Sequence, residues 1–257
     1  MSNKREQERE RLRAHRLERE QAETQANARR RRLVQLGSGA VFLAVVVVAV
    51  LIVVSGNQNS GGSGEVVDVG LVDKMVGGIP QSGTTLGNPK AKVTVYEYGD
   101  LQCPVCKAYS EQVLPQIIEG QIREGKAKIE FRNFTIIGPQ SKPAGAAALA
   151  AGKQGRGWNY IDIFYRNQGA EASGYATEAF LTTIAKAAGI KNLAQWNTDR
   201  KSKALTDKVS ATTAEAENLG FTGTPSFAVT GPKSHGLNTL GTPGSAEAIE
   251  AAIKKAS

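Results

Sequence analysis

Cysteine is nearly absent from this 257-residue chain, which carries two, Cys103 and Cys106. Two are too few for a disulfide scaffold. They are also too few for a four-ligand zinc site, because the chain's two histidines, His15 and His235, lie far apart on opposite sides of a long apolar run. No charge of either sign occurs between residues 33 and 64, and no cysteine directly follows the apolar run, which speaks against a lipoprotein anchor. There is no internal repeat. With 40% hydrophobic and 22% charged residues, disorder throughout is excluded.

The net charge of +8 hints at a nucleic-acid partner until it is located along the chain. Residues 1–32 hold eleven Lys/Arg against six Glu, so more than half of the excess sits in this tail, and no nucleic-acid partner is expected for the remainder. The tail is rich in good helix formers, yet Leu12 and Leu17 are almost its only larger apolar residues, and such a helix has little to bury. It reads as a solvated basic segment that fixes topology and meets anionic lipid head groups, with a contact to RNA or a cytoplasmic protein as the other reading.

Residues 33–54 form an uncharged run of 22 residues. As a helix it would reach about 33 Å, enough for a hydrocarbon core of roughly 30 Å. A transmembrane helix is expected, preceded by Arg29, Arg30, Arg31 and Arg32. The positive-inside rule then puts the N-terminus in the cytoplasm and everything after residue 55 outside, at the face of the lipid bilayer. A cleaved signal peptide would have a shorter apolar region and an A-x-A-like site, which Val53-Val54-Ser55 matches poorly. The span is therefore read as a signal-anchor. Residues 55–64 are a Gly/Ser/Asn linker whose reach is under about 20 Å.

Residues 65–257 read as one extracytoplasmic α/β domain. Residues 65–90 are a lead-in with a short strand at most. Lys92–Gly99, dense in β-branched and aromatic residues, predicts a central strand covered on both faces. After Cys103-Pro104-Val105-Cys106 comes an apolar stripe of Val113, Leu114, Ile117, Ile118 and Ile122, a helix that Pro115 should bend. Lys126–Phe134 alternates as a second strand, which completes a βαβ unit. Residues 141–219 read as a helical block. Ser226–Thr230 is a short strand, Gly236–Gly241 a candidate partner for it, and Ser245–Lys255 a terminal helix with Ser245 as candidate N-cap.

A Cys-x-x-Cys between a strand and a helix has a redox logic. Cys103 falls at the helix N-terminus, where unpaired N–H groups and the helix dipole stabilise a thiolate, and Pro104 fits N1 because its missing N–H would have had no partner. Cys103 is then the nucleophile and Cys106 the resolving thiol of an exchange through a mixed disulfide. A static disulfide, or a pair of buried thiols, is the alternative. Glu97 shares a strand face with Val93 and Val95. If buried and unpaired its pKa should be raised and it could exchange a proton with Cys106, whereas a Glu at the strand end could simply reach solvent. Asp100 is as readily a turn residue as an electrostatic one. His235 reads as an exposed loop residue. Trp158, Tyr160, Phe164 and Tyr165 could line a binding surface but fit core packing better. Spacing alone favours an ordinary trans bond before Pro225.

Taken together, the stretches GIPQSGTTLGNPKAKVTVYEYGDLQCPVC, WNYIDIFYRNQ and LGFTGTPSF, followed by a terminal helix, resemble the DsbA-like family of thioredoxin-fold thiol–disulfide oxidoreductases in its membrane-anchored bacterial form. The resemblance covers nearly all of residues 75–257. It implies a thioredoxin-like fold with an inserted helical domain at about 141–219. It also implies an exposed nucleophile at Cys103, a resolving Cys106, an acidic residue beneath the site at Glu97, and a cis-proline loop at Thr224 and Pro225 that offers backbone to extended substrate. Thr224, Pro104 and Val105 are the positions expected to meet substrate. No cofactor is expected beyond a redox-active Cys103–Cys106 disulfide, and no metal.

The partners implied are exported proteins bearing thiols and a membrane redox partner, quinone-linked or a thiol carrier. Val105 stands where the best-known periplasmic oxidase of the family has His, so Cys103 is expected to be less acidic and its disulfide less oxidising. The function that follows is a dithiol oxidase. A reductase serving substrates such as apocytochromes, or a peptide-binding holdase with an inert bridge, are the alternatives. An isomerase is disfavoured because no folded dimerisation domain separates anchor from core.

Overall fold

The computed structural model describes residues 65–257. The expected tail 1–32, transmembrane helix 33–54 and linker 55–64 lie outside the described residues. Among the described residues no helix is long and apolar enough to cross a membrane.

The fold is a six-stranded mixed sheet with helices packed around it, in the thioredoxin-like manner. Its centre is β3 (Val93–Gly99), parallel to β4 (Ala127–Asn133) and antiparallel to β5 (Ser226–Thr230). The order is completed on one side by a hairpin of β1 (Gln81–Ser82) and β2 (Thr85–Leu86), and on the other by β6 (Asn238–Gly241). On one face of the sheet, Val93 and Val95 join Ile129, Phe131, Phe227 and Val229 in the main core. On the other, Tyr98 and Ala228 pack with Phe134, Ala216 and Phe221. The alternation of β4, buried at Ala127, Ile129, Phe131 and Asn133 and half-buried between, follows from one covered and one partly covered face.

The lead-in holds more than a short strand. Helix α1 (Val69–Val76) buries Val72, Met75 and Val76, and the hairpin that follows it extends the sheet through β2 on β4. The helix after the motif is not one bent rod. It divides into α2 (Pro104–Gln112) and α3 (Leu114–Ile117), then a π-turn over Ile118–Ile122 in which Arg123 N–H reaches the Ile118 carbonyl at 2.8 Å. The break falls at Val113, two residues before Pro115, because the proline supplies no N–H to the carbonyl one turn back and its ring opposes it.

Helices α4 (Ser141–Gly152), α5 (Gly157–Arg166), α6 (Glu178–Ala187), α7 (Leu193–Arg200) and α8 (Lys203–Asn218) follow β4. Alanine-rich α4 is buried over nearly its whole length. Small side chains let α5, α7 and α8 pack closely around it. The terminal helix α9 (Ala246–Ala256) packs on α3 and β5. Ser245 occupies its N-cap position without capping it. Glu247 in its first turn is held below its ordinary pKa, chiefly by the nearby Ser245 hydroxyl.

Candidate active site

Cys103 is the N-cap residue of α2, with Pro104 in the first turn. Its sulfur accepts the Cys106 N–H at 3.4 Å, in the manner of a capping side chain. In the thiol form Cys103 Sγ donates to the Thr224 carbonyl at 3.4 Å. These contacts bring the motif and the β5-leading loop together, and the Thr224–Pro225 bond is cis. The loop is itself tied down: Ser226 Oγ donates to the Gly223 carbonyl at 2.7 Å and Thr242 Oγ1 to the Pro225 carbonyl at 2.6 Å.

The two thiols are driven apart in acidity. Cys103 is lowered to about 7, first by a hydrogen bond from the Cys106 thiol, then, against the opposing effect of burial, by the Thr224 side chain and the N–H groups of Cys106 and Val105. Cys106 is pushed well up by burial, by its bond to Cys103 and by the charges of Cys103 and Glu97. Near neutral pH about half of the Cys103 sulfur is therefore thiolate while its neighbour stays a thiol, the asymmetry a nucleophile and a resolving group need. Both are unbridged in this structure.

Glu97 is fully buried on β3, and neither carboxyl oxygen has a hydrogen-bond partner. In register it lies between Phe131 of β4 and Phe227 of β5. Burial, then the charges of Asp162 and Cys103, push it up to about 8. The carboxyl is thus mostly protonated at pH 7, with no neighbour to hold that proton in place. The solvent-reaching alternative for this residue is excluded by its burial.

Asp100 is a loop organiser. Its carboxylate accepts the N–H groups of Gln102 at 2.9 Å, Ile136 at 2.8 Å and Ile137 at 3.0 Å, which ties the motif loop to the strand-to-helix loop after β4. Asp100→Ala would strand these donors and is expected to destabilise the protein by on the order of 3 kcal/mol. Urea unfolding of the variant beside wild type measures it.

The helical insertion supplies the rest of the support. Gln168 donates to the carbonyls of Leu101 at 2.6 Å and Cys103 at 3.2 Å. The Tyr165 hydroxyl reaches the Asp100 carbonyl at 3.3 Å and the Tyr175 hydroxyl that of Leu101 at 3.5 Å. Tyr165 can come so near because residue 99 is glycine: a Cβ there would lie 2.7 Å from the Phe131 ring and 2.9 Å from the Tyr165 oxygen. None of these donors was evident from spacing. The one available signal was the run of polar atoms on otherwise apolar residues in WNYIDIFYRNQ.

Other expectations fare differently. Cys103 is only 4% exposed, not an open nucleophile, because the Thr224 loop closes over its sulfur. Pro225 is buried, Thr224 and Val105 are half-buried, and Pro104 is exposed at the rim. The trans bond that spacing favoured at Pro225 is replaced by the cis bond that the resemblance implied. Trp158, Tyr160, Phe164 and Tyr165 are all buried in the core and offer no binding surface. His235 is exposed in the loop between β5 and β6. Among the described residues no cluster of His, Cys, Asp or Glu could hold a metal ion.

Known proteins share this fold. A thioredoxin family model matches residues 81–255. A probable disulfide bond formation protein D of Bacillus cereus is 36% identical over 150 residues, which cover 57% of this chain and 69% of that protein. The crystal structure of oxidised BdbD from Bacillus subtilis superposes with a TM-score of 0.59 at 22% identity, covering 68% of this chain and 97% of that one. That of α-DsbA1 from Wolbachia pipientis gives 0.58 at 26% identity, covering 67% and 89%. The chain belongs to the thioredoxin family, and within it to the DsbA-like thiol–disulfide oxidoreductases.

Proposed function

We propose that this protein is a membrane-anchored dithiol oxidase that forms disulfides in exported proteins. Residues 33–54 would hold it in the membrane, with residues 1–32 in the cytoplasm and residues 65–257 outside, within linker reach of the bilayer. The observation that carries the oxidase reading is the likeness to Bacillus proteins named for disulfide bond formation, while the paired acidity of the site, Cys103 near 7 and Cys106 strongly raised, supplies the exchange chemistry that either direction needs. A stabilised Cys103 thiolate favours the reduced protein, and so favours passing a disulfide to a client.

The reaction begins from a Cys103–Cys106 disulfide, the only redox group it requires. A client thiolate attacks Cys103 Sγ, a mixed disulfide forms, and Cys106 leaves as a thiolate that takes the proton held by Glu97. A second client thiolate then attacks the client sulfur of the mixed disulfide, closing the client's disulfide and releasing Cys103 as the stabilised thiolate. Two electrons pass from client to protein. The chain has no second thiol pair, so a membrane partner must accept those electrons and restore the bridge. Thr224 and Pro225, with Pro104 and Val105 at the rim, would hold the client's backbone against Cys103.

A reductase reading is favoured by one observation. Val105 offers its backbone N–H but no side-chain donor to Cys103, and a pKa of about 7 is that of thioredoxin, whereas DsbA's nucleophile lies near 3.5. Equilibration of the full-length protein in glutathione buffers separates the two. The potential is expected to fall between the roughly −270 mV of thioredoxin and −120 mV of DsbA. A value above about −180 mV supports disulfide donation, and one near −270 mV overturns it in favour of the reductase.

A further inference from the structure

Behind Glu97 lies a second buried acid that the exchange reaction as written does not use. Asp162, on α5, is 3% exposed. One carboxylate oxygen is bonded by the Ser110 hydroxyl of α2, and the other by Arg166 Nε at 2.9 Å, one turn along its own helix. The Asp162 and Arg166 side chains form a nearly buried ion pair, with Asp68 touching the outer edge of the guanidinium at 3.5 Å.

This group is tied to the thiol site through the packing. Ser110 lies one helical turn beyond Cys106 on α2, and its neighbour Tyr109 stacks on Phe227 with ring centroids 5.2 Å apart. Asp162 lies three residues before Tyr165 on α5, and Tyr165 meets Phe131 edge-on at 6.4 Å. Phe227 and Phe131 are the two residues that flank Glu97 across the strands. The contact between α2 and α5 therefore lies over the sheet face on which the Glu97 carboxyl is buried without partners.

We propose that Asp162 is a positioning residue for disulfide exchange: its carboxylate, fixed by Ser110 and Arg166, sets a negative charge behind Glu97 that keeps a proton on Glu97 ready for Cys106. The inference rests on the role proposed for Glu97 above. The titratable groups coupled by charge to Glu97 are Cys103 at the N-cap of α2, Cys106 and Tyr109 on α2, and Asp162 and Tyr165 on α5. Those that face Asp162 are Ser110 and Glu111 from α2, Arg166 on α5 and Asp68 ahead of α1. Burial pushes Asp162 itself up, while Arg166 and Ser110 pull it back toward the ionised form. Among the charges acting on Glu97, that of Asp162 is the largest.

The sign follows directly. A like charge disfavours the Glu97 carboxylate, so neutralising Asp162 lets Glu97 ionise at lower pH. Asp162→Asn keeps the shape, and its effect is read from the pH profile of mixed-disulfide resolution by Cys106 in the full-length protein. The expected result is a Glu97-linked midpoint lower by roughly half a unit or more. Asp162→Glu, which keeps the charge, should leave the midpoint near wild type, and Asp162→Asn placed on Glu97→Gln should move nothing further. An unmoved midpoint in Asp162→Asn overturns the proposal, whatever the variant's stability. If Glu97→Gln alone leaves the profile unchanged, the proton role of Glu97 has failed instead. Should Asp162→Asn not fold, a carboxyl-carbon NMR titration of wild type decides: Glu97 must show a second inflection where Asp162 titrates, and a single-step curve overturns the coupling.

Discussion

Cys103→Ser is expected to reduce disulfide exchange to the uncatalysed background while leaving the fold intact. A serine oxygen can still cap α2, since the cap needs only an acceptor for the Cys106 N–H. It cannot form the mixed disulfide through which all exchange passes. Cys106→Ser should behave in the opposite manner, with capture retained and resolution lost, so that client proteins accumulate covalently on Cys103. The bond from Cys106 is the largest influence lowering Cys103. Cys106→Ala, which loses that donor, should therefore capture more slowly near neutral pH than Cys106→Ser. Non-reducing gels of the variants, incubated with a client that carries a disulfide for the Cys103 thiolate to attack, distinguish all three. A turning-over Cys103→Ser protein would sink the assignment of the nucleophile.

The second large effect concerns stability. Glu97 ionises freely in the unfolded chain, near 4.5, but only at about 8 in the folded one. Between these values the native state holds a proton that the unfolded state has released, so this group makes stability fall as pH rises through that window. By pH 7 the cost amounts to about 3 kcal/mol. Glu97→Met, of similar length and without a charge to bury, removes it. Urea unfolding from pH 4.5 to 8 should show the variant gaining on wild type steadily across the window, while its exchange slows for want of the proton. Parallel stability curves for the two proteins would show that Glu97 is not the buried acid described here.

How much of this was legible beforehand depends on the range over which each signal acts. The density of β-branched and aromatic residues in Val93–Gly99 and the alternation in Ala127–Asn133 are local, and both strands stand where periodicity puts them. The same alternation put Glu97 on the face of Val93 and Val95. The strands β1 and β2 have two residues each, too short for any alternation to register, and α1 is an eight-residue run with only Asp73 and Lys74 polar, too short and too apolar for a helical period to stand out. Beyond such local signals, legibility stops. That Asp162 meets Ser110, or that Gln168 reaches the Cys103 carbonyl, depends on how α5 is laid across α2, and no spacing within one segment encodes that. The burial of Cys103 beneath Thr224 is of this kind too, since it needs β5 in place beside β3.

The carbonyls of Asp100, Leu101 and Cys103 are all held by side chains of residues 165–175, which the ribosome makes well after the motif itself. A half-made or half-folded copy thus carries both sulfurs but no shaped loop to present them, and it also lacks Thr224, which follows later still. Until then Cys103 keeps the acidity of an ordinary exposed thiol, and its lowering to about 7 arrives only with the contacts of the closed fold. The separation in acidity between the two sulfurs is thus a property of the finished fold and not of the motif alone.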